Sequence, residues 1–196
     1  MRLGGALRRL ATMLLVVVTT SPSAQEDAEP APPPSLGYEI EIGQHEQLVK
    51  TRKSAGARLS AFVSDGCSGG LSAGWAFVSK AFPAIARYHG DKPPWERCCV
   101  AHDRLYHAGG PTDADAEMSF EARRDADEQL RRCVIEVGQK RTGDLATAYG
   151  LSREQVILLY RSIAKIMYRA VRFGGASCTR LPWRWGFGWP ECEKSN

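Results

Sequence analysis

The sequence predicts an all-α domain cross-linked by disulfides, and three observations carry that expectation. Three segments combine apolar residues at helical spacing or helix-compatible composition with clear start and stop signals. Six cysteines follow an N-terminus of export type. Strand-like alternation is confined to one short segment, so strand content should be small.

The first helix is expected over residues 95–107, after Pro93-Pro94 and before Gly109-Gly110-Pro111, a run that stops a helix. The second is expected over residues 117–140, which hold few helix breakers before Gly138. The third is the clearest: Ser152 with Gln155 makes a capping box, and Gly174-Gly175 ends the helix. Between them Val156, Leu159, Tyr160, Ile163, Ile166, Met167 and Ala170 are predicted to form one apolar face. Residues 74–88 are rich in aromatics (Trp75, Phe77, Phe82), but Pro83 excludes a long helix there. Residues 38–42 alternate as a short strand would, followed by a polar turn.

Residues 1–24 read as a signal peptide. Arg2, Arg8 and Arg9 precede the apolar run 10–18, and small residues follow. The run falls short of the roughly 20 apolar residues that span a bilayer, which disfavours the competing reading of a membrane anchor. Residues 25–47 form an acidic, Pro-rich linker or pro-segment, and the folded domain is expected over residues 48–196. Export, to the periplasm or the cell exterior, makes three disulfides the expected state of Cys67, Cys98, Cys99, Cys133, Cys178 and Cys192. The formal charge of +4 is unevenly placed. The signal holds three arginines, residues 25–47 hold six acids and no Lys or Arg, and +7 remains from Leu48 onward. A basic domain suits an anionic membrane surface or nucleic acid, and charge alone does not choose.

The residues that carry chemistry lie in Cys98-Cys99-Val100-Ala101-His102-Asp103-Arg104-Leu105-Tyr106. On a helix, Cys98, His102 and Tyr106 share a face, whereas Asp103 points about 100° round from His102. That separation suits a base and a metal ligand with different tasks. Asp127 lies six residues before Cys133. Were the two helices antiparallel and Cys98 bonded to Cys133, Asp127 would reach the second ring nitrogen of His102 and fix its tautomer. Were Cys67 bonded to Cys99, the loop Ser64-Asp65-Gly66-Cys67-Ser68-Gly69-Gly70 would come against Asp103. Carbonyl and carboxylate oxygens without a soft ligand suit Ca²⁺.

This pattern resembles the secreted phospholipase A2 family, whose helix signature Cys-Cys-x-x-His-Asp-x-x-Tyr is matched in full. The Asp-x5-Cys spacing of Asp127 and Cys133 is similar to the family's second helix. Asp65-Gly66-Cys67 resembles the calcium segment of the shorter prokaryotic members. The similarity spans residues 64–133. It implies a phospholipase A2-like fold of two antiparallel, disulfide-linked helices plus a long amphipathic third. It implies calcium-dependent hydrolysis of the sn-2 ester of glycerophospholipids by a water that His102 activates. Asp127 would orient His102, Tyr106 would hydrogen-bond Asp127, and Ca²⁺ would be held by Asp103 with Asp65 and oxygens of Gly66, Ser68 and Gly70. The chain departs from the animal enzymes in lacking their Tyr-Gly-Cys-x-Cys-Gly-x-Gly loop and the cysteine two residues before Asp127. The implied partner is a phospholipid membrane or micelle, with no obligate protein partner. The competing readings are a catalytically silent lipid-binding module on the same scaffold and, from the charge, a nucleic-acid-binding protein without a recognised motif.

Other candidates weigh less. Asp125 is expected at the surface, and Asp113 and Asp115 in a turn. His45, His89 and His107 are expected to be solvent-exposed. Arg161, Lys165, Arg169 and Arg172 form an arc opposite the third helix's apolar face, read as a solvated stripe with anionic lipid as the functional alternative. Residues 178–192 enclose Trp183, Trp185, Phe187 and Trp189, which would serve either as a membrane-interface anchor or as a lid on the helices.

Overall fold

The residues that this computed structural model describes, 36–64, 66–67, 80, 83–90 and 92–192, include six helices. They are α1 (Leu36–Lys53), α2 (Pro83–His89), α3 (Glu96–Ala108), α4 (Ala116–Lys140), α5 (Thr142–Tyr149) and α6 (Arg153–Gly174). No strand occurs among the described residues. Gly109 ends α3 in the left-handed conformation, with its N–H on the Leu105 carbonyl. The Asp115 side chain caps α4 by accepting from the Met118 N–H at 2.8 Å, so Asp115 is a helix cap, while Asp113 lies in the turn before it as expected. Ser152 and Gln155 form the reciprocal capping box that starts α6.

α3 and α4 run antiparallel, because contacts ascend one helix as they descend the other: Cys98 to Cys133, His102 to Asp127, Tyr106 to Arg123. α4 and α6 pack together around Leu130, Val134, Val137, Tyr160 and Met167. Their approach is close at Gly138, where a Cβ would stand 2.4 Å from Cγ of Tyr160. The disulfides are Cys67–Cys99, Cys98–Cys133 and Cys178–Cys192. The first two close loops of 32 and 35 residues, each worth about 3–4 kcal/mol on the chain-entropy account. No helix among the described residues is long and apolar enough to cross a membrane.

Several expectations are corrected. Residues 38–42 lie in α1, a helix, and not in a strand. Their alternation misleads because α1 faces the body with Glu41, His45 and Leu48, one helical stripe, while Ile40 is exposed. The folded body therefore includes residues 36–47, which the sequence reading assigned to the linker. Pro83 opens the short helix α2, a place where its missing N–H costs nothing. On α6, Ile166 and Ala170 are exposed, and Ala164 is buried in their place. His45 and His107 are buried, and His89 is half-buried. His45 Nδ1 lies 2.8 Å from Ser119 Oγ, and His107 Nε2 lies 3.4 Å from Ser60 Oγ.

The C-terminal loop is a lid. Backbone bonds from Gly186 N to Tyr106 O (2.6 Å) and from Gly188 N to His107 O (3.1 Å) tie it to the end of α3. Trp185 is buried and donates to Ser119 Oγ at 3.0 Å. Phe187 packs edge-on against His107, and Trp189 donates to the Ala108 carbonyl at 2.8 Å. Of the four expected interface aromatics, only Trp183 is substantially exposed.

The Gly138 contact generates a prediction. Gly138→Ala should destabilise the protein by about 1–3 kcal/mol, the cost of overpacking, since Tyr160 is held near its backbone and cannot swing clear. Thermal unfolding reads the effect, and an unchanged melting temperature would mean that α4 and α6 are not so closely apposed.

Candidate active site

The side chain of His102 leaves the buried face of α3 and meets Asp127 of α4, Nε2 to Oδ1, at 2.8 Å. Asp127 has no solvent exposure, so its charge needs donors from the protein. It has three. Oδ1 also accepts from the Tyr106 hydroxyl at 2.7 Å, and Oδ2 accepts from Arg172 Nη1 at 3.1 Å. Burial and then the charge of Asp127 push the Tyr106 phenol well above its ordinary range, which keeps it a donor.

Behind this dyad lies a ring of charge that the sequence reading did not foresee. Arg123 is fully buried and donates to Tyr106 Oη at 3.2 Å, to the carbonyls of Val171 and Arg172 at 2.9 and 2.8 Å, and to Glu41. Its bonds to the last-turn carbonyls of α6 satisfy groups that a helix end leaves open. Arg172 Nη2 donates to both oxygens of Glu41, at 2.9 and 2.8 Å. Asp127, Tyr106, Arg123, Glu41 and Arg172 thus close a circuit in which two acids balance two guanidiniums. Burial works against ionising Glu41, but His45, Arg123 and Arg172 outweigh it and hold the carboxyl down at about 2. His45 Nε2 faces Glu41 at 3.8 Å, and burial pushes the imidazole below its usual value. Arg172, expected in the solvated stripe, is instead turned inward to Asp127 and Glu41.

His102 also borders a cleft of about 310 Å³ between α3 and α4. Cys98, Ala101, Leu105, Ala126 and Leu130 give it apolar walls, with Gln129, Arg132 and Glu136 as polar lining. Among the described residues no side chain claims the Nδ1 nitrogen of His102, so that atom is left to receive a proton.

No family model, curated protein or solved structure matches this chain. The site is therefore read from its own chemistry.

On the other side of α3, Asp103 accepts from the Ser64 hydroxyl at 2.6 Å, and the Gly66 N–H donates to that hydroxyl at 3.0 Å. The Cys67–Cys99 disulfide holds this loop against the helix. Gly66 has φ 72°, a left-handed backbone conformation that favours glycine. Asp65, Ser68 and Gly70 lie outside the described residues. Among the described residues no cluster of three or more His, Cys, Asp or Glu side chains stands ready for a metal. The donors present at Asp103 are a carboxylate and a hydroxyl, oxygen chemistry that fits a hard cation. Asp125 is exposed, as expected. His89 Nε2 is 2.5 Å from Tyr149 Oη, and burial followed by the charge of Arg141 lowers the imidazole to about 4.

The Glu41 charge generates a pH prediction. Its folded pKa lies below the ordinary 4.5, so its contribution is complete above pH 4.5 and fades as pH falls toward 2. Glu41→Gln should therefore cost about 3 kcal/mol in denaturant unfolding at pH 7, the scale of breaking a buried ion pair. The gap from wild type should shrink below pH 4.5. A gap independent of pH would contradict the assignment.

Proposed function

We propose that this chain is an exported, calcium-dependent hydrolase of glycerophospholipids that cleaves the sn-2 ester and releases a fatty acid and a lysophospholipid. The observation that carries the reading is the 2.8 Å bond from His102 to a fully buried Asp127, which Tyr106 and Arg172 also hold, at the edge of a largely apolar cleft. It joins the Cys-Cys-x-x-His-Asp-x-x-Tyr signature, the Asp127–Cys133 spacing and the oxygen donors at Asp103. Three disulfides accord with an oxidising compartment outside the cytosol.

In this reading His102 Nδ1 takes a proton from a water molecule, and the water oxygen attacks the ester carbonyl. The imidazolium that forms lies against Asp127, which stabilises it and keeps Nε2 protonated. As the acyl–oxygen bond breaks, the same proton passes to the departing alkoxide, so no covalent enzyme intermediate is needed. Asp103, with the loop of residues 64–70, would hold Ca²⁺, which when bound supplies charge for the substrate phosphate and the developing oxyanion. The apolar walls of the cleft exclude water from the acyl chain.

One observation favours a second reading, a lipid-binding module without turnover. Arg172 places a permanent cation on the same carboxylate that must stabilise the His102 imidazolium. The two readings separate in one assay. Purified protein with phosphatidylcholine micelles and calcium should release fatty acid and stop when a chelator is added. His102→Gln should lower the rate by about 10²–10⁴-fold, the usual worth of a positioned base, with the fold intact. Lipid binding without fatty acid release under any calcium concentration would establish the silent module instead.

A further inference from the structure

Helix α6 turns one face to α4 and leaves another to solvent, and the solvent face mixes cations with bulky apolar side chains. Leu158, Ile166 and Phe173 are 66 %, 66 % and 95 % exposed and fall within an arc of about 80° on the outer side of the helix. Trp183, 39 % exposed, lies near the helix end, its Nε1 3.9 Å from where a Cβ on Gly174 would stand. Beside that arc runs a ladder of Arg161, Lys165 and Arg169 at four-residue intervals, none of them ion-paired among the described residues. The ladder borders an open groove of about 640 Å³ between α6 and α4 that Arg131 and Tyr168 also line. Its one acid, Glu128, is already taken by Arg131 at 2.8 Å.

We propose that this outer face of α6, with Trp183, docks the protein on an anionic lipid surface. Bulky apolar side chains in water beside unpaired cations match such an interface, where the chains enter the acyl boundary and the cations meet the headgroups. A second copy of the chain is a poor occupant, since a two-fold contact would set the cationic ladder against itself. A nucleic acid backbone would use the cations and leave Leu158, Ile166 and Phe173 in water. The groove beside this face lies about 100° round α4 from the His102 cleft: Arg131 and Ile135 line one, Arg132 and Glu136 the other. The inference names how the proposed hydrolase reaches its substrate, yet docking can hold or fail independently of hydrolysis.

Co-sedimentation of the full chain with vesicles in calcium-free buffer tests it. Binding to equimolar phosphatidylcholine and phosphatidylglycerol should exceed binding to phosphatidylcholine alone and fall with salt. Replacing Arg161, Lys165 and Arg169 together by Gln should weaken partition by about 100-fold, since each cation is worth roughly fivefold at a charged surface. Phe173→Ser should weaken it by at least about tenfold through lost apolar burial. Unchanged binding by both variants would overturn the proposal, as would a wild-type dimer that Phe173→Ser dissociates, or preference for an oligonucleotide over vesicles. Hydrolysis of a dispersed short-chain phosphatidylcholine separates the two claims. If wild type does not hydrolyse it, the hydrolase reading fails while docking stands; if it does and vesicle binding ignores the variants, docking alone fails.

Discussion

A carboxylate removed from water is stable only where the protein supplies donors in place of solvent, and Asp127 sits at such a place. Its partners come from two other helices, His102 and Tyr106 from α3 and Arg172 from α6, and Arg172 is in turn held by Glu41 of α1. Arg123 on α4 closes the circuit and satisfies the end of α6. The charge that prepares His102 therefore also positions α1, α3 and α6 on α4. Stability and site geometry share the same groups, so a change at Glu41 or Arg123 acts on both.

The disulfides divide labour with this circuit. Cys98–Cys133 lies one helical turn from the His102–Asp127 bond and fixes the register of α3 on α4. Cys67–Cys99 leaves from the adjacent residue in another direction and ties down the loop that faces Asp103. Adjacent cysteines on one helix thus serve the two neighbouring residues His102 and Asp103, each on its own side. Cys178–Cys192 closes the lid, whose backbone bonds to Tyr106 and His107 cover the end of α3.

Two of the long helices were legible because their signals are local: Ser152 with Gln155 starts α6, and Gly109 ends α3. The His102–Asp127–Tyr106 cluster was legible because both helices are regular and one cross-link sets their register. Helix α1 was not, since the half-buried Glu41 on its inner face finds its partners only in Arg123 and Arg172, 82 and 131 residues away. The inward turn of Arg172 was hidden for the same reason, as helical spacing placed it with the solvated cations. Trp185 and Ser119 show the limit for the lid: composition marks an aromatic loop but not the hydroxyl that receives its indole.

The proposed hydrolysis requires Asp127 to act as the charged partner of His102 and not merely as a packed polar group. The direct measurement is the calcium-dependent rate of fatty acid release by Asp127→Asn, taken with its calcium affinity and melting temperature. The expected rate is lower by about 10⁴-fold, as when an asparagine leaves such a histidine in the wrong tautomer, with calcium binding retained. A folded Asp127→Asn protein that hydrolyses phospholipid at the wild-type rate would contradict it.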